Sequence, residues 1–162
     1  MANKAKPIPE GYHTVTPYLI VRGGVAALEF YKKAFGATEV FRFPMPNGKI
    51  AHAEFKIGDS HIMIADEPEG PMADSPDHKV FKSPLSSGNT PVGICLYVED
   101  VDSLAKQAVS AGAKELRAVT NQFYGDRSGT YLDPFGHVWT LSTHIEDVSP
   151  EEMMKRAQQQ AH

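Results

Sequence analysis

The chain has 162 residues, 41% of them hydrophobic and 9% aromatic, which supports a packed core and excludes global disorder. Its 16 basic and 20 acidic residues leave a net charge of −4, with no basic run of the kind that binds nucleic acid or an anionic membrane. A single cysteine, Cys95, excludes an internal disulfide framework and a cysteine-rich zinc site. The N-terminal "MANKAKPIPEGYH" lacks the apolar centre of a signal peptide, and no apolar run spans a bilayer, so a cytoplasmic protein is expected.

In chain order, "TPYLIV" (16–21) predicts a strand and "GVAALEFYKKAFGA" (24–37) a helix ending at Gly36. Three strands follow: "ATEVFRFPMP", "KIAHAEFKI" and "SHIMIADE". An Asn47-Gly48 hairpin turn, with positive φ at both residues, and a tight Gly58-Asp59 turn join them. The same order then recurs. "GICLYV" (93–98) predicts a strand and "DVDSLAKQAVSAGA" (100–113) a helix with Asp100 as N-cap. "KELRAVTNQFYG", "RSGTYL" and "HVWTLSTH" are three more strands, the last two joined by a "DPFG" turn. Thr16 corresponds to Gly93 and Met63 to Thr140, an offset of 77 residues.

This predicts an α+β fold of two tandem βαβββ modules, residues 14–67 and 92–147, forming a curved mixed sheet around a cavity. Residues 68–91, rich in Pro, Ser and Gly, are a linker of the kind that often covers a site. Residues 148–162 form a C-terminal helix behind the Ser149-Pro150-Glu151-Glu152 capping box.

With "EFYKKAFGA" after its first strand and "DPFGHVW" before its last, the chain resembles the vicinal oxygen chelate superfamily of glyoxalases, bleomycin-resistance proteins and extradiol dioxygenases. "HAEFKIGDSHIMIADE" and "YGDRSGTYLDPFGHVWTLSTHIEDVSPEEM" look most like its PhnB-like subgroup. The resemblance implies a small-molecule ligand and a homodimer. It also implies metal-ligand slots in the first and last strand of each module, which fall at Thr16, Met63, Gly93 and Thr140. None is a histidine or carboxylate, so a metal-free, cofactor-free binding protein of the bleomycin-resistance type is expected. The alternative is a metal-dependent lyase, isomerase or dioxygenase using His52, Glu54 and His144.

Strand parity selects the cavity face. Tyr18 shares the face of Thr16, and Cys95 and Tyr97 that of Gly93. The Gly58-Asp59 turn sets Met63 opposite Glu54 and brings in His52. A four-residue "DPFG" turn would pair Leu132 with His137, Thr140 with Gly129 and Ser142 with Arg127, bringing in Arg127 and Tyr131. The expected ligand site is therefore Tyr18, His52, Glu54, Met63, Cys95, Tyr97, Arg127 and Tyr131. His52 and Glu54 would act as a base or orienting pair, and Arg127 would clamp an anionic ligand with an apolar body. Cys95 reads as a small buried filler, His137 and Trp139 as core, and His61 and His144 as solvated strand-end residues.

Overall fold

The computed structural model describes residues 5–160, so residues 161 and 162 of the expected C-terminal helix lie outside the described residues. The chain divides into two compact units, Met1–Asn89 and Thr90–His162.

In the first unit, strand β1 (Tyr18–Val21) leads to helix α1 (Gly24–Phe35), then β2 (Thr38–Pro44), β3 (Ile50–Ile57) and β4 (Ser60–Asp66). The sheet order is β1-β4-β3-β2, with β1 parallel to β4 and the other pairs antiparallel. One face packs on α1. Leu19, Val21, Ala53, Phe55, Ile57, Ile62 and Ile64 are all buried, and Tyr31 of the helix stacks on Phe55 at 5.1 Å. The helix ends on Gly36, whose N–H donates to the carbonyl of Lys32 while Ala37 N–H donates to that of Tyr31. Ile57 pairs with Ser60 and Glu54 with Met63, as the tight Gly58-Asp59 turn predicts.

The β2–β3 turn differs from the expected one. Among the described residues none other than glycine has positive φ, so Asn47 is not left-handed. Met45 N–H donates to Lys49 O at 2.7 Å, Gly48 N–H to Met45 O, and only Gly48 has positive φ. The loop is Pro46-Asn47-Gly48, a type I turn closed by a left-handed glycine, because proline pre-sets the first corner of such a turn.

In the second unit, β5 (Gly93–Tyr97) leads to α3 (Val101–Ala111), then β6 (Lys114–Asn121), β7 (Asp126–Leu132) and β8 (Val138–His144). The order β5-β8-β7-β6 repeats the first sheet. Asp100 caps α3 through Ser103 N–H at 3.0 Å. The fold is thus α+β, two four-stranded mixed sheets in two tandem βαβββ modules. A last helix, α4 (Pro150–Gln160), starts on the Ser149 hydroxyl, which accepts Glu152 N–H at 3.3 Å. No helix among the described residues is long and apolar enough to cross a membrane.

The β7–β8 register is one residue from the expected one. Leu132 pairs with Val138, Thr130 with Thr140, Ser128 with Ser142 and Arg127 with Thr143. Asp133 N–H donates to His137 O at 2.9 Å, so the loop is the three residues Pro134-Phe135-Gly136, the same Pro-x-Gly device as Pro46–Gly48. The Asp133 carboxylate accepts Phe135 N–H and His137 N–H on one oxygen and the Trp139 indole N–H on the other, each at 2.9 Å. A one-residue shift in a strand exchanges its two faces, and that moves two of the expected site residues.

Candidate functional site

On the face of the first sheet away from α1, four expected residues come together: Tyr18 on β1, His52 and Glu54 on β3, and Met63 on β4, beside both Tyr18 and Glu54. Three of them form a hydrogen-bonded chain. Tyr18 Oη lies 3.1 Å from His52 Nδ1, and His52 Nε2 lies 3.1 Å from Glu54 Oε1. A carboxylate only accepts, so in the neutral imidazole the proton sits on Nε2 and Nδ1 accepts from the Tyr18 hydroxyl. Tyr12, which strand parity did not reach, donates to the other oxygen of Glu54. That bond is the main reason the Glu54 carboxyl is held below its ordinary range. Burial first, and the hydrogen bond to Glu54 next, push the Tyr12 phenol up to about 12, while burial raises that of Tyr18.

The surroundings are aromatic. Phe41 and Phe43 on β2 pair with Glu54 and His52, and both are about half exposed. The Phe41 ring lies 6.4 Å from that of His52, and Phe81 lies 6.1 Å from Tyr18. Phe81 belongs to the segment read as a linker. That segment folds into two short 3₁₀ turns, Gly70–Asp74 and His78–Val80, and helix α2 (Pro84–Ser87). The hydroxyls of Ser83 and Ser86 anchor it to Glu67 at 2.8 and 2.6 Å. Ser83-Pro84 is a helix-start signal that the sequence displayed. A cavity of about 180 Å³ lies beneath, lined by Tyr18, Ile20, Met45, Ala65, His78 and Phe81 among others.

His61, expected in solvent, is buried under the Tyr12 ring at 4.0 Å, and its Nδ1 has no hydrogen-bond partner among the described residues. The strand partner of Met63 is Tyr18, and Thr16 precedes β1. The partner of Thr140 is Cys95.

The open face of the second sheet carries Cys95 and Tyr97, together with Asp126, Ser128, Thr130 and Ser142. Cys95 is exposed rather than a buried filler, its Sγ 4.0 Å from Ser142 Oγ. The Tyr97 hydroxyl donates to Asp126 at 2.7 Å, which pushes the phenol up to about 12. Arg127 and Tyr131, by contrast, face α3. Arg127 holds Asp102 of the helix with two bonds, at 2.7 and 2.6 Å. Tyr131 is buried, its hydroxyl 3.3 Å from Glu115. The three-residue loop, in place of four, put them there. His137 and Trp139 are buried as core residues.

Among the described residues no group of three or more His, Cys, Asp or Glu is placed to hold a metal ion. His144, on the second unit, is held by Asp126 at 2.8 Å and Asp147 at 2.9 Å. Those carboxylates, Asp126 foremost, hold its imidazole in the charged form to higher pH than usual.

A family model described as the glyoxalase/bleomycin resistance protein/dioxygenase superfamily matches residues 12–141. The chain belongs to that superfamily. An uncharacterized protein of Mycobacterium bovis is 40% identical over 141 residues, covering 86% of this chain and 88% of the relative. Among solved structures, TioX from Micromonospora sp. ML1 superposes with a TM-score of 0.63 at 22% identity, covering 82% of this chain and 99% of TioX. A PhnB protein from Bacillus cereus superposes with a TM-score of 0.60 at 15% identity, covering 81% and 99%. At these identities the two structures show a shared fold. The superfamily hosts several chemistries on it, so function has to be argued from this chain's own side chains.

Proposed function

We propose that the protein binds a small planar organic molecule on the open face of the first sheet, within the PhnB-like branch of its superfamily and as a homodimer. The carrying observation is the chain Tyr12–Glu54–His52–Tyr18, set among exposed aromatic rings and bordering a cavity. Apolar walls with a few convergent polar groups are the usual make-up of a small-molecule pocket. Phe41, Phe43 and Phe81 supply faces for stacking, and Met63 an adaptable apolar contact. Because the Tyr18 proton is committed to His52, its remaining lone pairs face the ligand as acceptors. A ligand bearing an N–H or O–H group on a flat ring fits that arrangement. Contacts from these side chains take the part that a metal takes in the superfamily's metal-dependent enzymes, since Met63 and Thr140 are poor metal ligands.

A second reading rests on the order hydroxyl, imidazole, carboxylate. A ligand proton passed to the Tyr18 oxygen, as the Tyr18 proton moves to His52 Nδ1, would leave an imidazolium held by Glu54. That is a proton relay, and it makes the same site an acid–base catalyst.

The test is an amide-resolved NMR titration with neutral planar heteroaromatics that carry a ring N–H, such as indole and benzimidazole. One or more should shift the resonances of Tyr18, His52 and Glu54, and His52→Ala should weaken that binding about tenfold or more. A panel that leaves these resonances unmoved refutes the reading. Elemental analysis of untagged protein addresses the metal, and about one bound divalent ion per chain would overturn a metal-free site.

A further inference from the structure

The chain has five arginines. Three hold carboxylates at short range: Arg42 on Glu39 at 2.7 Å, Arg127 on Asp102 at 2.6 Å and Arg156 on Glu146 at 2.8 Å. Arg22 is exposed at the end of β1. Arg117 is the exception. Its guanidinium lies across the open face of the second sheet and meets only neutral oxygens. Nη1 is 3.4 Å from the Ser128 carbonyl oxygen, and Nη2 is 3.3 Å from both the Ser128 and the Thr130 hydroxyl. No carboxylate of the described residues pairs with it.

The local backbone explains the placement. The pairing of β6 with β7 shifts register on both sides of Arg117, between Glu115 and Arg117 and again between Arg117 and Thr120. The first shift sends Glu115 to the helix side, where Tyr131 meets it. The nearest acid on its own strand is thereby taken up elsewhere. Ser128 is fully buried, and its hydroxyl is also 3.5 Å from Tyr124 Oη.

Contacts of 3.3–3.5 Å lie beyond the usual hydrogen-bond distance, whereas a guanidinium holds an oxyanion at about 2.7–2.9 Å. Arg117 therefore presents a planar fork of donors without the partner for which that fork is suited. Ser128, Thr130 and Tyr124 add three hydroxyls that can turn to donate to the same acceptor.

We propose that the open face of the second sheet is an oxyanion subsite. Arg117 takes the carboxylate, phosphate or phosphonate group of a small organic ligand, and Ser128 and Thr130 complete its coordination. The subsite stands on the second unit alone and does not depend on the site around His52.

Titrations followed by amide and arginine side-chain NMR test it, with benzoate, phenylphosphonate, inorganic phosphate and the neutral benzamide as probes. At least one anion should shift the Arg117, Ser128 and Thr130 resonances, and benzamide should not. Response to benzoate alone identifies a carboxylate site, and response to the phosphorus anions a phosphate-type site. R117Q should weaken the anion about tenfold or more, R117K less, and R127Q, whose arginine is already held by Asp102, should bind as the wild type does. An unchanged amide spectrum away from the site establishes that each variant is folded. Anions that leave Arg117 unmoved, benzamide that shifts the same residues, or R117Q binding at wild-type strength would each overturn the proposal. Indole-type probes at His52 should bind R117Q undiminished, so the two sites can fail separately.

Discussion

Asp133 decides which face of β7 carries which residue, so its removal should be costly. The residue is buried, and its carboxylate takes three hydrogen bonds of 2.9 Å, two from the backbone of the loop it closes and one from the Trp139 indole. Asp133→Ala leaves three donors without their acceptor. Each bond to a carboxylate contributes about 1.5–3 kcal/mol, and water entering beside the exposed Pro134 offsets part of that, so a loss of about 3–5 kcal/mol is expected. Asp133→Asn keeps an oxygen for the two backbone N–H groups but sets an amide N–H against the indole N–H, and should lose about 1–2 kcal/mol. Trp139 is the chain's single tryptophan, so its fluorescence during urea unfolding reports on this unit directly. Losses below about 1 kcal/mol for Ala, or an Asn variant as unstable as Ala, would refute the account of the loop.

Gly125 has φ +97°, and an added Cβ would overlap the carbonyl oxygen of Glu146, so Gly125→Ala should lose about 3 kcal/mol in the same assay. Tyr12 is the largest cause of the lowered Glu54 carboxyl, and a depressed carboxyl adds stability above its ordinary value of 4.5 that disappears as pH falls through the folded-state value. Tyr12→Phe should raise the Glu54 titration midpoint toward 4.5 in a carboxyl-detected NMR titration and flatten the acid side of the stability curve; an unmoved midpoint would contradict this. The phenols of Tyr12, Tyr97 and Tyr131 are pushed from 10 to about 12, so the stability they add is full below pH 10 and lost as pH rises toward 12. A tyrosinate absorbance titration should show a class ionising near 12 that converges on 10 once the protein is unfolded in urea.

Much of the fold is legible because its signals are local. Helix ends at Gly36 and Gly112, the Asp100 cap, the Ser149 capping box and the alternation of the strands each depend on a few neighbouring residues, and the repeat doubles every signal. In the β3–β4 hairpin the tight Gly58-Asp59 turn leaves one register, so Glu54, His52 and Met63 could be placed on one face from the sequence. The two Pro-x-Gly loops carried a local signal too, but turn length depends on which residues close the loop. Asp133 closing on His137 rather than Leu132 made the difference of one residue that reversed β7.

Local signals thus carried the order of elements, the two-module plan and one half of the candidate site. Tertiary structure alone decided the rest, because those features join residues far apart in the chain. Tyr12 reaches Glu54 across 42 positions, and its ring buries His61. Phe81 is brought to Tyr18 by the Glu67 anchor of its segment. Arg127, turned to the helix by the β7–β8 register, meets Asp102, 25 residues away. Arg117 escaped a parity argument because two register shifts surround it, and strand alternation predicts a face only while the ladder is unbroken. Period and cap arise from short-range sterics and hydrogen bonding, whereas the convergence of side chains on a face depends on register, which the whole sheet settles together.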